Sequence, residues 1–510
     1  MNIISLLASV QAPNGLWSNL INWFHSGIGN FGWTIFLLTL TVKLVTSPLD
    51  FWTKLESKKQ ALIKQKCAPQ VAKIKKKFGT NQQAVRLQTQ SLYKREGMKN
   101  GVASCLAVIL NFVIFITFFS SLRASSAYQA INQYEMLLST YNSTSINCLI
   151  SKNDEISEYT ITNEDEATVF VNDFFKGQSL EEKNEKNPTV EETTLVNLYQ
   201  KYSSLFDSVT EYTITNKDEA IAFIDSYYNG KALFEENKET PTEDETTLIN
   251  LYQKYSSLFD SVTEYTITNK DEATTFVNDY FSGKTLGEER TLINLYQKYT
   301  TLIDDVQNTT SQAVINKWKE IKSSWLWIEN IWVADAPVYP FQTYEDFIKV
   351  TNNGGKVYST YVSENIDEAS FSAISSVVNS LSDRKNNGFL ILAVLAAGIT
   401  FLSQYISELH NKVKNKKAKT AVDFSMQESL EMSMKIMKII MPIIMMVFTL
   451  TNTASFGIYI VASNIASIGI GEVSNVIIKK ITHKKQLEVE AVLEKEAQRL
   501  IKKGKIQEKK

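Results

Sequence analysis

Lys43 lies inside an apolar run, residues 31–49, FGWTIFLLTLTVKLVTSPL, that is long enough to cross a bilayer as a helix. A lysine that far into hydrocarbon costs roughly 2.5–3.5 kcal/mol on insertion scales and persists mainly where it faces protein or a water-filled cavity. Two readings compete. Lys43 stands about six residues from the end of the run, roughly 9 Å of helix, which its stem partly spans by snorkelling. In the other reading it is the positive charge of a wet intramembrane groove. Asn111, in a second apolar run, carries an amide that must find partners in hydrocarbon. Thr39, Gln404 and Asn464 are further polar groups within apolar stretches and complete the candidate groove. The chemistry open to such a set is reversible solvation of polar or charged segments. No nucleotide-binding loop or metal cluster is recognisable, so no cofactor and no enzymatic bond-making are expected.

These residues must be held by membrane helices. Beside 31–49, the apolar stretches are 102–122, 388–406, 436–451 and 456–478, each near the roughly 20 residues needed to span hydrocarbon. The expected fold is therefore all-α, a polytopic membrane protein with five transmembrane helices. Net charge is −2, but its distribution is strongly segregated. The segment 123–387 holds 42 Asp/Glu against 21 Lys/Arg, whereas 50–100, 408–438 and 479–510 together hold 31 Lys/Arg against 12 Asp/Glu. Basic loops stay cytoplasmic. That rule puts residues 1–30 and the 123–387 domain outside, and 50–100, the 408–435 loop and the 479–510 tail inside. Trp17, Trp23, Trp33, Trp325, Trp327 and Trp332 then all fall at the outer interface, where tryptophan concentrates. Residues 1–30 carry no conventional signal peptide, and Leu16, Leu20 and Trp23 or Phe24 predict a short interfacial helix. Cys67, Cys105 and Cys148 fall in three different compartments, which excludes an intramolecular disulfide.

Between 50 and 100, apolar residues recur at helical spacing, and Phe78-Gly79-Thr80-Asn81 supplies a helix stop and a fresh cap. This predicts a basic helical hairpin in the cytoplasm, with Lys73, Lys75, Lys76 and Lys77 as its contact face. Its charge suits RNA or anionic lipid without reading any nucleic-acid sequence; a plain solvated face beside the headgroups is the competing reading. Seven of the ten methionines sit between Met426 and Met446. They suit either adaptable apolar contact or ordinary packing.

The middle of the chain, 157–307, is a tandem repeat. Tyr-Thr-Ile-Thr-Asn begins at Tyr159, Tyr212 and Tyr265, and Leu-Tyr-Gln-Lys-Tyr follows with tyrosines at Tyr199, Tyr252 and Tyr296; the third copy is nine residues shorter. A fixed period means one structural unit copied. In the second copy, Asn216 caps a helix that Gly230 is expected to stop, and a second amphipathic helix runs from Leu248 to Val262. Each copy is thus expected to be two helices joined by an acidic loop, acting as a spacer or a partner-binding module.

The stretches GWTIFLLTLTVKLVTSPL, QKCAPQVAKIKKKFG, LYKREG and SCLAVILNFVIFITFF resemble the YidC–Oxa–Alb family of membrane protein insertases, as do SSWLWIENIWVADAPVYP and the Tyr459-x-x-x-Ser463-Asn464 pattern. Family members usually carry arginine at the place of Lys43, prolines at those of Ala107 and Val113, and Asn-Pro at Asn100-Gly101. The resemblance implies an insertase in the cell membrane that holds newly made membrane proteins in a hydrophilic groove, with the ribosome and the Sec translocon as partners beside the lipid bilayer. It does not account for the repeats. Two other classes compete: a surface adhesin, favoured by the repeats but not by an intramembrane lysine, and a solute transporter, whose internal symmetry is not seen here.

Overall fold

The computed structural model describes residues 10–79, 81–98, 102–183, 189–237, 239–411 and 439–502. The described chain is all-α, and its only sheet-like pairing is an isolated bridge between Trp325 and Ile328. It divides into two compact units, Asn142–Thr310 and the residues on either side of that segment. Among the described residues, three helices are long and apolar enough to cross a membrane, starting at Phe31, Ile109 and Ala454; Ile391–Ile406 and Ile439–Leu450 are shorter apolar helices.

In the membrane unit, α1 (Leu16–Ile28) ends at Gly29, whose φ of 73° is a left-handed turn that glycine adopts freely. Helix α2 (Phe31–Phe78) starts immediately, with the Asn30 side chain accepting from Trp33 N at 3.1 Å. It continues through Pro48 and Pro69, so the first apolar run and the first arm of the basic hairpin are one helix. Gly79, at φ 48°, ends it; Asn81 then caps α3 (Gln82–Arg95) by accepting from Ala84 N at 3.0 Å. Cys67, Val71 and Leu92 make the hairpin's small core, and Lys66 pairs with Glu96 at 2.8 Å. The next helix is α4 (Val102–Ser151).

The repeat unit contains α5 (Glu164–Lys183), α6 (Val190–Lys201), α7 (Lys217–Glu236), α8 (Glu243–Tyr255) and the start of α9 (Lys270–Ile321). Asn216 does cap α7, in a box where its side chain accepts from Glu219 N at 3.0 Å and Glu219 accepts from Asn216 N at 3.2 Å. Gly230 does not end this helix. It sits inside α7 because the helix there presses against α8, where a Cβ would come within 1.9 Å of the Leu248 carbonyl oxygen; the helix ends at Asn237 instead. The second helix also stops sooner than its periodicity suggests, at Tyr255, and Leu258–Ser261 is a separate 3-10 turn.

Pairing between the copies follows from the nine missing residues. Without them the third copy has no loop, and its two halves fuse into the single helix α9. The first half of the third copy packs on α6 of the first, with Gly283 against the Leu195 carbonyl; α5 of the first packs on the second half of the third, with Gly177 against the Leu292 carbonyl. Only the middle copy pairs with itself. Each pairing carries the same lock: Glu158 with Lys298 and Tyr299, Glu211 with Lys254 and Tyr255, Glu264 with Lys201 and Tyr202. In each lock the tyrosine hydroxyl accepts a backbone N–H at 3.0 Å, from Ser157, Thr210 and Thr263 respectively.

Back in the membrane unit, α10 (Tyr344–Gly354), α11 (Lys356–Asn365) and α12 (Glu368–Leu381) bury Phe347, Val362, Phe371 and Val378 against Ile131, Tyr134, Val314 and Trp318. Then come α13 (Ile391–Asn411), α14 (Ile439–Leu450) and α15 (Ala454–Lys502). Of the methionine group, Met426, Met432, Met434 and Met437 lie outside the described residues, as does most of the 408–435 loop. The C-terminal half of α15 packs beside α2 through Leu62, Val489 and Leu493.

Candidate functional site

Four helices, α2, α4, α14 and α15, enclose a cavity of about 200 Å³ lined by Thr39, Lys43, Asn111, Ser463 and Asn464 among apolar neighbours. Aromatic packing sets the spacing of these helices. Phe118 lies 5.0 Å from Tyr459 and Phe119 lies 4.4 Å from Phe456, ring centre to ring centre. Gly457 lets α15 close on α13, since a Cβ there would meet Leu392 at 3.0 Å and Thr449 at 2.9 Å. On the opposite side Gly32 of α2 accepts the Trp325 ring, which would stand 2.3 Å from a Cβ.

The segment 323–340 ties the helix ends together. Asp335 accepts from Phe389 N at 2.9 Å and Leu392 N at 2.6 Å, at the start of α13. The first two N–H groups of α15 are also satisfied here, Ala454 by Val333 O and Ser455 by Ile331 O, both at 2.9 Å. Asn330 and Asn387, both buried, exchange bonds at 2.7 and 3.0 Å and complete the tie.

The structure brings Thr39, Lys43, Asn111 and Asn464 to one wall system, and leaves Gln404 half-buried on α13 away from the lining. The Lys43 ammonium has no carboxylate within ion-pair distance among the described residues. Thr39 Oγ1 donates to Ile35 O at 2.6 Å, and its oxygen remains an acceptor. Asn464 Nδ2 donates to Ile460 O at 3.0 Å and to Thr400 Oγ1 at 3.2 Å. Asn111 Nδ2 donates to Asp50 Oδ1 at 2.9 Å. Asp50 is a residue that sequence reasoning passed over. It stands seven positions after Lys43, about 10 Å along the same helix face, and that i, i+7 spacing was the available signal. The arrangement is a small chamber of mixed polar and apolar lining with Lys43 in its wall and the Asp50 carboxylate bonded to Asn111 outside the lining, suited to holding an anionic or strongly polar chain segment for a short time.

The hairpin lysines are elsewhere. Lys73 reaches Glu496 on α15 at 3.2 Å, Lys77 stands 5.5 Å from the Phe78 ring, and Lys75 and Lys76 share the same arm of α2. They form a surface of their own, not part of the cavity.

Residues 23–164 match the family described as 60Kd inner membrane protein. The chain is 33% identical over 106 residues to a membrane protein insertase YidC of Bordetella avium, covering 21% of this chain and 18% of the relative. It is 36% identical over 106 residues to that of Neisseria gonorrhoeae, with the same coverage of 21% and 18%. The insertase YidC of Shewanella halifaxensis is 35% identical over 100 residues, 20% of this chain and 18% of the relative. The chain thus aligns with less than a fifth of the length of these relatives. No solved structure matches it.

Proposed function

We propose, from the match of residues 23–164 to the family described as 60Kd inner membrane protein and from the likeness to YidC insertases, that the chain is a membrane protein insertase of the YidC–Oxa–Alb family. The observation that carries this reading is Lys43: a cation without a described counter-charge, grouped with Thr39, Asn111 and Asn464 in the wall of a cavity between membrane helices. A polar or acidic segment of a client enters that cavity and exchanges bulk water for Lys43, Asn111, Thr39 and Asn464. Its path across hydrocarbon is then shorter and wetter, which lowers the barrier to transfer. The client's apolar span leaves sideways into lipid, driven by hydrophobic partitioning, and the membrane potential adds about 2.3 kcal/mol per charge per 100 mV where the sign is favourable. No covalent bond changes.

In this reading all five apolar helices span the cell membrane, with the N-terminus outside and the C-terminal tail inside. The repeat unit is extracytoplasmic. The basic hairpin faces ribosomes carrying nascent membrane proteins, and the Sec translocon shares its clients. The test is depletion of the protein with pulse-labelled small single-span clients followed by protease accessibility. Clients should remain uninserted and be rescued by the wild-type chain; undiminished insertion after depletion would rule the reading out.

A further inference from the structure

A second, larger cavity of about 700 Å³ opens where the apolar stretch of α4 gives way, at Phe119, Leu122 and Arg123, and where α14 ends, at Leu450–Thr453. Its remaining wall is the loop around Val338 and the start of α10. The lining is apolar at Phe119 and Leu450, both half-buried, over the buried Leu122, Val333 and Phe456; it also carries hydroxyls, three cations and the Asp346 carboxylate.

Two of those cations are occupied. Lys349 pairs with Glu345 at 2.9 Å and Asp346 at 3.2 Å, and Lys385 donates to the carbonyls of Asn379 and Ser380 at 2.7 and 2.6 Å. Arg123 is different. Its guanidinium lies 4.2 Å over the Phe119 ring, its Nη2 makes one long bond of 3.4 Å to Asn452 Oδ1, and its buried Nε has no partner. No carboxylate lies within ion-pair distance of it among the described residues. A guanidinium offers five N–H donors in a planar fork, and here most remain free beside hydroxyl groups of Ser126 and Thr453. An unpaired, half-buried arginine is unfavourable unless an oxyanion meets it, and a phosphate fits the fork in bidentate fashion.

We propose that this cavity holds the phosphodiester headgroup of a glycerophospholipid, bound by Arg123, with its acyl chains lying along the half-buried Phe119 and Leu450. The placement favours a lipid over a soluble anion. The cation stands where the apolar stretch of α4 ends and beside the end of α14, and Phe119 and Leu450 in the same lining are aromatic or apolar, as acyl carbons require. The site is distinct from the Lys43 cavity and depends only on the helices lying in a membrane, so it stands or falls independently of insertase activity.

The test uses the full-length protein, purified in detergent, delipidated and titrated with phosphatidylglycerol, with bound lipid counted by native mass spectrometry and Tm followed in parallel. The wild type should retain one more lipid than Arg123→Gln, whose affinity should fall roughly tenfold on loss of one charge-assisted pair. Arg123→Lys should be intermediate, because the charge remains while the fork is lost. Val338→Glu puts an anion at the mouth through a surface side chain and leaves Arg123 in place. It should weaken lipid retention without altering the fold, which keeps the test decisive if Arg123→Gln is unstable. Equal lipid retention by the wild type and both charge variants would overturn the proposal. Inorganic phosphate raising Tm as much as the lipid would overturn the lipid assignment.

Discussion

Asn111 and Asp50 are held by one hydrogen bond of 2.9 Å, and each answers for the other's presence next to hydrocarbon. Removing the acceptor strands a donor, which typically costs about 1–3 kcal/mol, whereas removing both is nearly neutral. Asp50→Ala should therefore lower the Tm of the purified protein, and Asp50→Ala with Asn111→Leu should recover most of the loss. A double variant as unstable as Asp50→Ala alone would mean the bond does not carry this role. Residue scale is also where sequence reading reached furthest and then stopped. Lys43, Thr39, Asn111 and Asn464 stand out because each interrupts an apolar run, and hydropathy alone finds such interruptions. Asp50 follows the run and looks like an ordinary boundary charge. Only the packing of α2 on α4, which joins residues 61 positions apart in the chain, reveals it as Asn111's partner.

Among the helices, the repeats were legible as copies but not in their pairing. Motifs fix the chemistry of a contact, and three identical locks leave open which copy meets which. The missing nine residues decide, by turning the third copy into one continuous helix. Two glycines four residues apart on α9 test this. At Gly283 a Cβ would lie 2.0 Å from the Leu195 carbonyl, while at Gly287 the nearest atom is 3.8 Å away. Gly283→Ala should destabilise the α6–α9 pair, seen as faster hydrogen exchange in both segments. Gly287→Ala should be neutral or stabilising, up to about 1 kcal/mol by helix propensity. If both behave alike, α6 and α9 do not pair as described.

The locks also predict a pH response. Hydrogen bonds from Lys254, then from Tyr255, draw Glu211 down to about 2, and its equivalents Glu158 and Glu264 are held there by the corresponding pairs. A folded value below the unfolded one, near 4.3, gives stability that is full above that pH and lost as pH falls toward 2. These groups are exposed and screened, so the effect should be modest. Protection of the Ser157, Thr210 and Thr263 amides should decline over that acid range, and Tyr255→Phe should abolish the extra protection at Thr210 only.

For the molecule as a whole, the cavity and the 323–340 segment that ties its helix ends belong to the unit outside Asn142–Thr310. In-frame deletion of 157–307 should therefore leave client insertion largely intact at equal membrane levels. A stably expressed deletion that inserts nothing would assign the repeats to the mechanism. In the hairpin, Lys73, Lys75, Lys76 and Lys77 changed together to Gln should weaken ribosome co-sedimentation, most at low salt where exposed charge is least screened. Unchanged co-sedimentation at low salt would reject an electrostatic contact. Because Lys73 also pairs with Glu496 on the surface, a stability loss of up to about 1 kcal/mol should accompany the change.

The central claim is that the charge at Lys43 receives polar client segments. Its most direct measurement is the insertion rate of paired clients, identical except for an acidic or a neutral translocated segment, in cells carrying only Lys43→Ala or Lys43→Arg at matched membrane levels. Lys43→Arg should insert both clients. Lys43→Ala should slow the acidic client roughly tenfold, equivalent to ~1.4 kcal/mol of lost counter-charge, and slow the neutral one much less. If Lys43→Ala inserts the acidic client at the wild-type rate, Lys43 is a snorkelling lysine and the cavity does not work through its charge.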